Sequence, residues 1–254
     1  MHVVAIVQAR MSSTRLPGKV MREVLGKPLL WYLINRLKGA ELIDKIVIAT
    51  TDKEKDKPIL RLARELDIDS FAGSEDDVLD RYYQAAKEYN AEVVVRITAD
   101  CPLIDPELVD RIIGYYLENE DKLDYVNNGL SFPDGVLETE VFSFASMEKA
   151  WHEARLASER EHVSPYIWKT PGIFRIATIE NEEDLSHMRL VVDDEKDFQL
   201  VSEIFRNLYK EGEIFHLKDI VSFLNKNPEL LELNKRTIRN EGYLKSLAED
   251  RIVR

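Results

Sequence analysis

The chain has 254 residues, 44% hydrophobic and 32% charged, a length and balance that suit one large globular domain with a substantial core. Its formal net charge of −12 excludes a protein that binds polynucleotide backbones through a broad positive surface. Cys101 is the single cysteine, which excludes an internal disulfide and a thiolate zinc cluster.

The amino-terminal residues MHVVAIVQAR contain one short apolar run, too brief for a signal peptide or a membrane span. Together with the single cysteine, which fits a reducing compartment, this predicts a cytoplasmic protein with neither a membrane nor a nucleic-acid partner. The same run, residues 2–7, is rich in β-branched residues and is the first predicted strand.

Strand-like and helix-like segments alternate through the first half of the chain. Further β-branched runs at residues 45–50 and 92–97 have the composition of buried parallel strands. Between them, residues 28–38 and 77–89 repeat apolar side chains at helical spacing. This alternation predicts an α/β fold with a Rossmann-like, doubly wound and mostly parallel sheet.

Two further helices are predicted later in the chain. One begins at the N-cap Asp105, with Pro106 in its first turn. The other covers residues 196–209, and Asp194 has the chemistry of its N-cap. Both helices continue the α/β pattern.

The sequence pattern changes from about residue 127, where turn residues and an extended stretch interrupt the regular alternation of strand-like and helix-like segments. We expect a subdomain inserted at about 127–188, followed by a return to the core sheet at residues 189–194 (RLVVDD). This organisation predicts a catalytic domain at 1–215 and a helical tail at 216–254.

Polar residues follow the predicted strands at their carboxyl ends. They are Arg10, Thr50, Thr51, Asp52, Asp100 and Asp193. In an open parallel sheet, ligands bind beyond this edge, near the point where the strand order reverses. We therefore expect these residues to converge on one site.

The loop VQARMSSTRLPGK, residues 7–19, places three cations on an otherwise acidic chain. Arg10, Arg15 and Lys19 suit a bound anion, because arginine offers a bidentate fork and lysine a point charge. The glycine patterns of the P-loop and of the dinucleotide fingerprint are both missing from this sequence. A solvated turn is the alternative interpretation.

This loop, with the LGKPLL that follows, resembles the opening motif of the sugar cytidylyltransferases, which include the 3-deoxy-manno-octulosonate and acylneuraminate cytidylyltransferases. Four further stretches resemble the spore-coat polysaccharide biosynthesis branch of that family: TADCPLID, SEREHVSPYI, VDDEKDF and NEGYLKSLAED. The resemblance spans nearly the whole chain and implies the nucleotidyltransferase (nucleotide-diphospho-sugar transferase) type of fold.

The resemblance implies that CTP is a substrate, that Mg²⁺ is the cofactor, and that the protein is a homodimer. It carries over Lys19 and Arg15 as catalytic residues, and Asp100 and Asp193 as metal ligands. The residues implied to bind the nucleotide are Ala9, Arg10, Arg15, Lys19, Gly73, Ser74 and Asp100. Those expected to bind the sugar are Glu138, Glu140, Arg160 and His162.

Several of these residues also have a purely structural interpretation. Asp100 suits an Asp-x-Pro turn, and Asp193 suits a helix N-cap. Ser74 is a good N-cap as well, while Ser158 and Glu161 fit a capping box. The five histidines show no metal-ligand spacing, so zinc is not indicated.

The family pattern has one departure here. Some acidic-sugar relatives carry Asp-x-Asp where this chain has Val191 and Asp193, so a two-metal arrangement and a sialic-acid-type acceptor do not carry over.

The predicted function is transfer of CMP from CTP to a sugar or sugar acid, with release of pyrophosphate, in surface polysaccharide biosynthesis. One alternative is a glycosyltransferase that uses a nucleotide sugar. Such enzymes usually hold their metal with D-x-D, whereas Cys101 and Pro102 follow Asp100. The other alternative is a nucleotide-binding scaffold protein that has lost catalysis.

Overall fold

The computed structural model describes residues 1–170, 172–235 and 240–254. The strands are β1 (Val3–Gln8), β2 (Glu23–Val24), β3 (Lys27–Pro28), β4 (Lys45–Thr51), β5 (Asp69–Gly73), β6 (Val93–Thr98), β7 (Tyr125–Asn128), β8 (Thr139–Ser143) and β9 (Ile176–Ile179). The α-helices are α1 (Leu29–Leu37), α2 (Lys57–Glu65), α3 (Val78–Glu88), α4 (Pro106–Glu118), α5 (Phe144–Glu153), α6 (Ala157–His162), α7 (Pro165–Lys169), α8 (Glu195–Leu208), α9 (Leu217–Lys226) and α10 (Glu241–Ala248). Short 3-10 helices cover Lys19–Met21, Glu54–Asp56 and Pro228–Glu232.

Seven strands form one sheet in the order β5-β4-β1-β6-β8-β7-β9, and β2 and β3 form a small hairpin. Only β8 runs antiparallel to its neighbours, so the predicted mostly parallel α/β sheet is confirmed. The carboxyl ends of the parallel strands therefore lie at the same edge as the amino end of β8. In this class of sheet that edge is where ligands bind.

Helices cover both faces of the sheet, because the central strands carry apolar side chains on both sides. In β1, Val3, Ala5 and Val7 pack in a core with α1, α2 and α4. Val4 and Ile6, which point to the opposite face, pack in a second core with α3 and α5. A strand buried on both faces is a continuous apolar run in the sequence, which is why β1 is predictable.

The predicted helix starts agree with the structure. Asp105 caps α4 by accepting a hydrogen bond from the Glu107 N–H at 3.1 Å. Asp194 caps α8 by accepting from the Lys196 N–H at 2.8 Å. These contacts span only two residues of chain, so local sequence is enough to specify them.

Residues 189–194 do not form a strand of the sheet, and this prediction was wrong. The Leu190 N–H donates to the Asp134 carbonyl at 2.6 Å, and the Val192 N–H donates to the Asp100 carbonyl at 2.8 Å. The apolar residues of this segment are buried by packing against α8 and α9, not by strand pairing. The Val192 bond also brings Asp193 close to Asp100.

The region expected as an insertion, 127–188, extends the main sheet through β8 and β9, and its residue 171 lies outside the described residues. The predicted capping box at Ser158 is wrong, because the N-cap of α6 is Leu156, two residues earlier. Glu159 accepts the Leu156 N–H at 2.9 Å, and the Ser158 hydroxyl donates to Asp250 at 2.7 Å.

The tail packs on the rest of the chain at several places, and residues 236–239 lie outside the described part. At α9, Asp105 accepts the Leu217 N–H at 2.7 Å and lies 3.0 Å from the His216 ring. After α10, the Val253 N–H donates to the Arg155 carbonyl at 2.8 Å, beside α6. None of the described helices is long and apolar enough to cross a bilayer.

Candidate active site

A cavity of about 510 Å³ lies at the carboxyl edge of the sheet. Its walls include the ends of β1, β6 and β7, the loop after β1, part of the 189–194 segment and the start of α10. Nine of the predicted site residues line it: Ala9, Arg10, Arg15, Lys19, Asp100, Glu138, Glu140, His162 and Asp193. The fold thus gathers side chains that are far apart in the sequence.

The loop after β1 folds back on itself before it reaches Lys19. The N–H groups of Ser13 and Gly18 both donate to the Met11 carbonyl, at 3.1 and 2.8 Å. Gly18 has φ +71°, a left-handed conformation that favours glycine, and a Cβ there would lie 3.3 Å from the end of the Met11 side chain. Lys19 then begins a 3-10 helix at the edge of the cavity.

Lys19 bridges two carboxylates across the cavity floor. Its Nζ lies 2.9 Å from Asp100 Oδ2 and 2.9 Å from Asp193 Oδ1. Burial disfavours the charge on Lys19, but the two carboxylates outweigh it and raise the pKa of the ammonium group. The ammonium in turn outweighs burial at Asp100 and lowers the pKa of its carboxyl.

Asp193 is surrounded by three cations. Besides Lys19, its Oδ2 lies 2.9 Å from Arg15 and 2.8 Å from Arg189. Burial alone would raise the pKa of this carboxyl, but Lys19, followed by Arg15 and Arg189, lowers it to about 2. Asp193 is therefore ionised at neutral pH.

Arg189 is a site residue that the sequence analysis missed. Its guanidinium also pairs with Asp134 at 2.8 Å and with the buried Asp197 at 3.1 Å. Asp197 lies in the first turn of α8, so this cluster fixes the helix behind Asp193. The partners are separated by up to 55 residues, and no local motif points to them.

Arg10 is exposed and lines the cavity beside Ala9. It makes no ion pair with any residue in the described ranges, in contrast to Arg15 and Lys19. An entering anion would thus meet one cation that is not already neutralised.

The wall of the cavity has a partly buried ion pair between neighbouring strands. Arg96 on β6 lies 2.9 Å from Glu140 on β8, and these residues are cross-strand partners. Glu140 also accepts hydrogen bonds from the Tyr125 and Ser164 hydroxyls, each at 2.8 Å. Both oxygens of Glu140 are therefore engaged, so this residue is held in place at the cavity wall.

His162 lies at the end of α6 and is hydrogen-bonded to the tail, with Nε2 3.0 Å from the Ser246 hydroxyl. Burial lowers the pKa of its imidazole to about 4, although Glu161 partly opposes this. The ring is thus neutral at pH 7. It packs edge-on against Tyr243 of α10, with ring centres 4.9 Å apart.

Three predicted site residues do not line the cavity. Arg160 is only 3% exposed, and its guanidinium bonds to Asp77 and to the Trp151 carbonyl. Gly73 and Ser74 lie behind Arg81: the Arg81 guanidinium donates to the Ser74 carbonyl. The expected convergence also fails for the end of β4, where Thr50 and Thr51 are fully buried and Asp52 does not reach the cavity.

The start of the tail reaches the cavity, which the sequence analysis did not predict. Glu241 pairs with Arg15, and Asn240, Gly242 and Tyr243 also line the wall. The stretch NEGYLKSLAED identified the tail as characteristic of a branch of the family, but nothing local indicated where it packs.

Asp100 and Asp193 are the residues here that could hold a divalent cation. Their oxygens converge on one ammonium group, and a hard cation such as Mg²⁺ prefers carboxylate oxygens. A separate trio, Asp105, Glu107 and His216, has ligand atoms within 4.8 Å of one another. It lies where α9 packs on α4, and Asp105 there already accepts two backbone N–H groups.

Comparisons with family models, with known sequences and with solved structures agree with one another. The sequence model of the family described as "Cytidylyltransferase" matches residues 4–236. An uncharacterized protein of Methanocaldococcus jannaschii is 39% identical over 252 residues, which cover 96% of this chain and 98% of that protein. The spore coat polysaccharide biosynthesis protein SpsF of Bacillus subtilis is 30% identical over 233 residues, covering 89% and 95%. The solved structure of a cytidylyltransferase from Leptospira borgpetersenii is 32% identical, with a TM-score of 0.86 over 91% of this chain and 97% of that one.

Proposed function

Because the chain belongs to the cytidylyltransferase family, we propose that it transfers CMP from CTP to a sugar or sugar acid and releases pyrophosphate. The product would be an activated sugar for surface polysaccharide biosynthesis, which agrees with the name of the Bacillus subtilis relative. As the resemblance implies, we also propose a homodimer.

The observation that carries this proposal is the position of Lys19 between Asp100 and Asp193, at 2.9 Å from each. In this arrangement, cations suited to phosphates neutralise carboxylates suited to a metal ion. A metal-bound triphosphate would satisfy both sets at once, because its phosphates replace the carboxylates and its metal replaces the ammonium. A neutral ligand would pair with neither the cations nor the carboxylates of this cluster.

Arg10, Arg15 and Lys19 are proposed to bind the triphosphate. An acceptor hydroxyl oxygen forms the new bond to the α-phosphorus and its proton passes to solvent. The bond from that phosphorus to the bridging oxygen breaks, and pyrophosphate leaves with the bridging oxygen. The protein's contribution is to position the reactants and to stabilise the negative charge of the leaving group. Lys19 is the best placed for the second task because it is mostly buried, where electrostatic interactions are strong.

Asp100 and Asp193 would hold Mg²⁺. Bound there, the ion would supply positive charge that neutralises phosphate oxygens. The two carboxylates serve this purpose ionised, and the low pKa of each agrees with that requirement.

Glu138, Glu140 and His162 are proposed to face the acceptor at the other end of the cavity. Arg160 is not included, because its guanidinium is already committed to Asp77 and the Trp151 carbonyl. His162 would act as a neutral hydrogen-bonding group with its depressed pKa of about 4.

The experiment is a pyrophosphate-release assay with each of the four nucleoside triphosphates, Mg²⁺ and a panel of sugars and sugar acids. We expect release with CTP, and a loss of about 10²- to 10³-fold in Lys19→Ala. Lys122→Ala, at an exposed lysine outside the cavity, is the matched control. The proposal fails if CTP neither binds nor supports release, and sugar transfer from a nucleotide sugar would favour the glycosyltransferase alternative.

A further inference from the structure

The tail helix α10 is held against α6 at the edge of the main cavity. Just beyond the end of α10, the Asp250 carboxylate accepts the Ser158 N–H at 3.0 Å and the Ser158 hydroxyl at 2.7 Å. This contact fixes the helix where its Ser246 side chain meets the end of α6. The residue that Ser246 meets there is His162, which lines the cavity.

The Ser246 hydroxyl lies between a carboxylate and an imidazole of α6. Its oxygen lies 2.7 Å from Glu161 Oε2 and 3.0 Å from His162 Nε2, and the Gly242 carbonyl is 3.1 Å away. A hydroxyl carries a single proton to donate. Because the carboxylate is the nearest of these groups and a charged acceptor forms the stronger hydrogen bond, the proton points to Glu161.

This donation determines the tautomer of His162. The Ser246 oxygen can then only accept from Nε2, so Nε2 carries the ring proton. The Glu161 carboxylate lies 3.8 Å from Nε2 and favours a proton on that nitrogen as well. Burial lowers the pKa of the imidazole to about 4, so at neutral pH the ring holds no second proton. Nδ1 is therefore an unprotonated acceptor.

The imidazole is fixed at one nitrogen and unused at the other. Tyr243 packs edge-on against the ring, with ring centres 4.9 Å apart, and limits its rotation. Nδ1 has no hydrogen-bond partner in the ranges that the structure describes. The His162 side chain is 25% exposed, so a molecule in the cavity can reach it.

We infer that Ser246 and Glu161 hold His162 in the tautomer protonated at Nε2, and that Nδ1 accepts a hydrogen bond from a hydroxyl of the acceptor sugar. This inference rests on the proposed function. Ser246 and Glu161 are positioning residues in this role, because they act on the sugar only through the imidazole. Since Ser246 belongs to α10, the tail contributes to recognition of the acceptor.

The tautomer also determines which group of the acceptor lies beside His162. An unprotonated Nδ1 binds a donor, whereas a carboxylate offers acceptors only. A doubly protonated ring would bind a carboxylate, but burial disfavours that form. The group that contacts His162 is therefore a hydroxyl, even where the acceptor is a sugar acid.

The first experiment is ¹⁵N NMR of histidine-labelled protein at pH 7, because the two ring nitrogens of a neutral imidazole differ strongly in chemical shift. The signals of His162 are assigned from their loss in His162→Gln. We expect a single tautomer in the wild type, with Nδ1 unprotonated. In Ser246→Ala the two shifts should move towards each other as the second tautomer appears. Ser246→Thr, which keeps a hydroxyl, should restore them.

Ser222→Ala, at an exposed serine of α9 outside the cavity, is the matched control and should leave the His162 signals unchanged. Thermal unfolding shows whether each variant is folded. A protonated Nδ1 in the wild type, or identical shifts in the wild type and Ser246→Ala, overturns the assigned roles of Ser246 and Glu161.

The second experiment measures pyrophosphate release with CTP, Mg²⁺ and the panel sugar that gives the highest rate with the wild type. His162→Gln can keep a bond to Ser246 but has no atom at the place of Nδ1. We expect KM for the sugar to rise about tenfold, the effect of one hydrogen bond, with KM for CTP unchanged. In His162→Asn the amide oxygen can replace Nδ1, so the rise should be smaller. A purely structural histidine would not separate the two variants in this way.

An unchanged KM for the sugar in His162→Gln overturns the contact with the acceptor and leaves the proposed function intact. A wild type that releases no pyrophosphate with any nucleotide and sugar overturns the proposed function and the contact together. The NMR measurement needs no substrate, so it decides the tautomer in either case.

Discussion

Lys19 Nζ lies 2.9 Å from a carboxylate oxygen of Asp193, a residue 174 positions further along the chain. The same ammonium lies 2.9 Å from Asp100, so one cation separates two anions at the carboxyl edge of the sheet. The arrangement has the charges of a site for a metal-bound polyphosphate. We expect substitutions of Lys19, Asp100 and Glu241 to disturb its electrostatic balance.

Replacing Lys19 by alanine should change how the protein responds to Mg²⁺ in the absence of nucleotide. Asp100 would then lose its paired cation, although Asp193 would keep Arg15 and Arg189, and we expect a cost on the order of 3 kcal/mol of folding free energy. Mg²⁺ alone should restore part of this loss. Differential scanning fluorimetry with and without Mg²⁺ should therefore show a larger rise of Tm in Lys19→Ala than in the wild type. Equal shifts in the two proteins would mean that the metal binds elsewhere.

Asp100→Asn should keep the fold and lose Mg²⁺-dependent turnover. Asparagine preserves the shape of the side chain, and Lys19 retains Asp193 as a partner, so Tm should change little. The neutral amide is a weaker ligand for a hard cation than the carboxylate, and pyrophosphate release should fall by about 10²-fold or more. The control is Asp121→Asn, an exposed position outside the cavity. Full activity in Asp100→Asn would contradict the assigned metal site.

Glu241→Gln should tighten the binding of CTP. In the structure the Glu241 carboxylate pairs with Arg15, which is also proposed to bind the triphosphate. A phosphate must compete with this carboxylate and is repelled by it, whereas glutamine carries no charge. We expect Kd for CTP to fall severalfold, by about the contribution of a partly exposed ion pair.

Titration calorimetry at two salt concentrations checks this prediction, because the gain should shrink as ionic strength rises. Glu249→Gln, just beyond the same helix, is the control. Weaker binding in Glu241→Gln would show that the carboxylate assists the nucleotide site.

His162 should make the folded protein less stable as the pH falls below neutrality. Burial lowers the pKa of its imidazole from 6.5 to about 4, so the unfolded chain binds this proton more readily. The stability contribution is therefore complete above about pH 6.5 and is lost as the pH falls towards about 4, with a total on the order of 1–3 kcal/mol. Nearby charges also act on the ring: Glu161 and Glu140 favour protonation, while Arg96 and Arg10 oppose it.

Urea unfolding between pH 7 and pH 5 measures this effect, with His162→Gln as the comparison. The variant should show a shallower loss of stability over that interval. Identical slopes in the two proteins would mean that another group is responsible.

Much of the fold was predictable because its signals are local. The strand at β1 is an apolar run buried on both faces, and the caps at Asp105 and Asp194 involve partners two residues away. The prediction of a strand at residues 189–194 was wrong because strand formation also requires pairing with a distant segment. Its composition is that of a strand, but the segment makes single contacts with Asp134 and Asp100 instead of a ladder.

The candidate site was only partly predictable. Arg15 and Lys19 follow from the loop motif of the resemblance, and Asp100 follows from its motif and from its position at a strand end. Arg160 belongs to an equally recognisable stretch, yet it is buried against Asp77. A motif specifies residue types, but it does not specify which side of a helix faces a cavity.

The sequence by itself determined the α/β class, the cation-rich loop and the family, because periodicity, capping and motif spacing act over a few residues. Only the tertiary structure decided which polar atoms meet. It joined Lys19 to Asp193 and brought Glu241 to Arg15. The physical reason is that these relationships depend on strand register and helix packing, which contacts between distant parts of the chain establish.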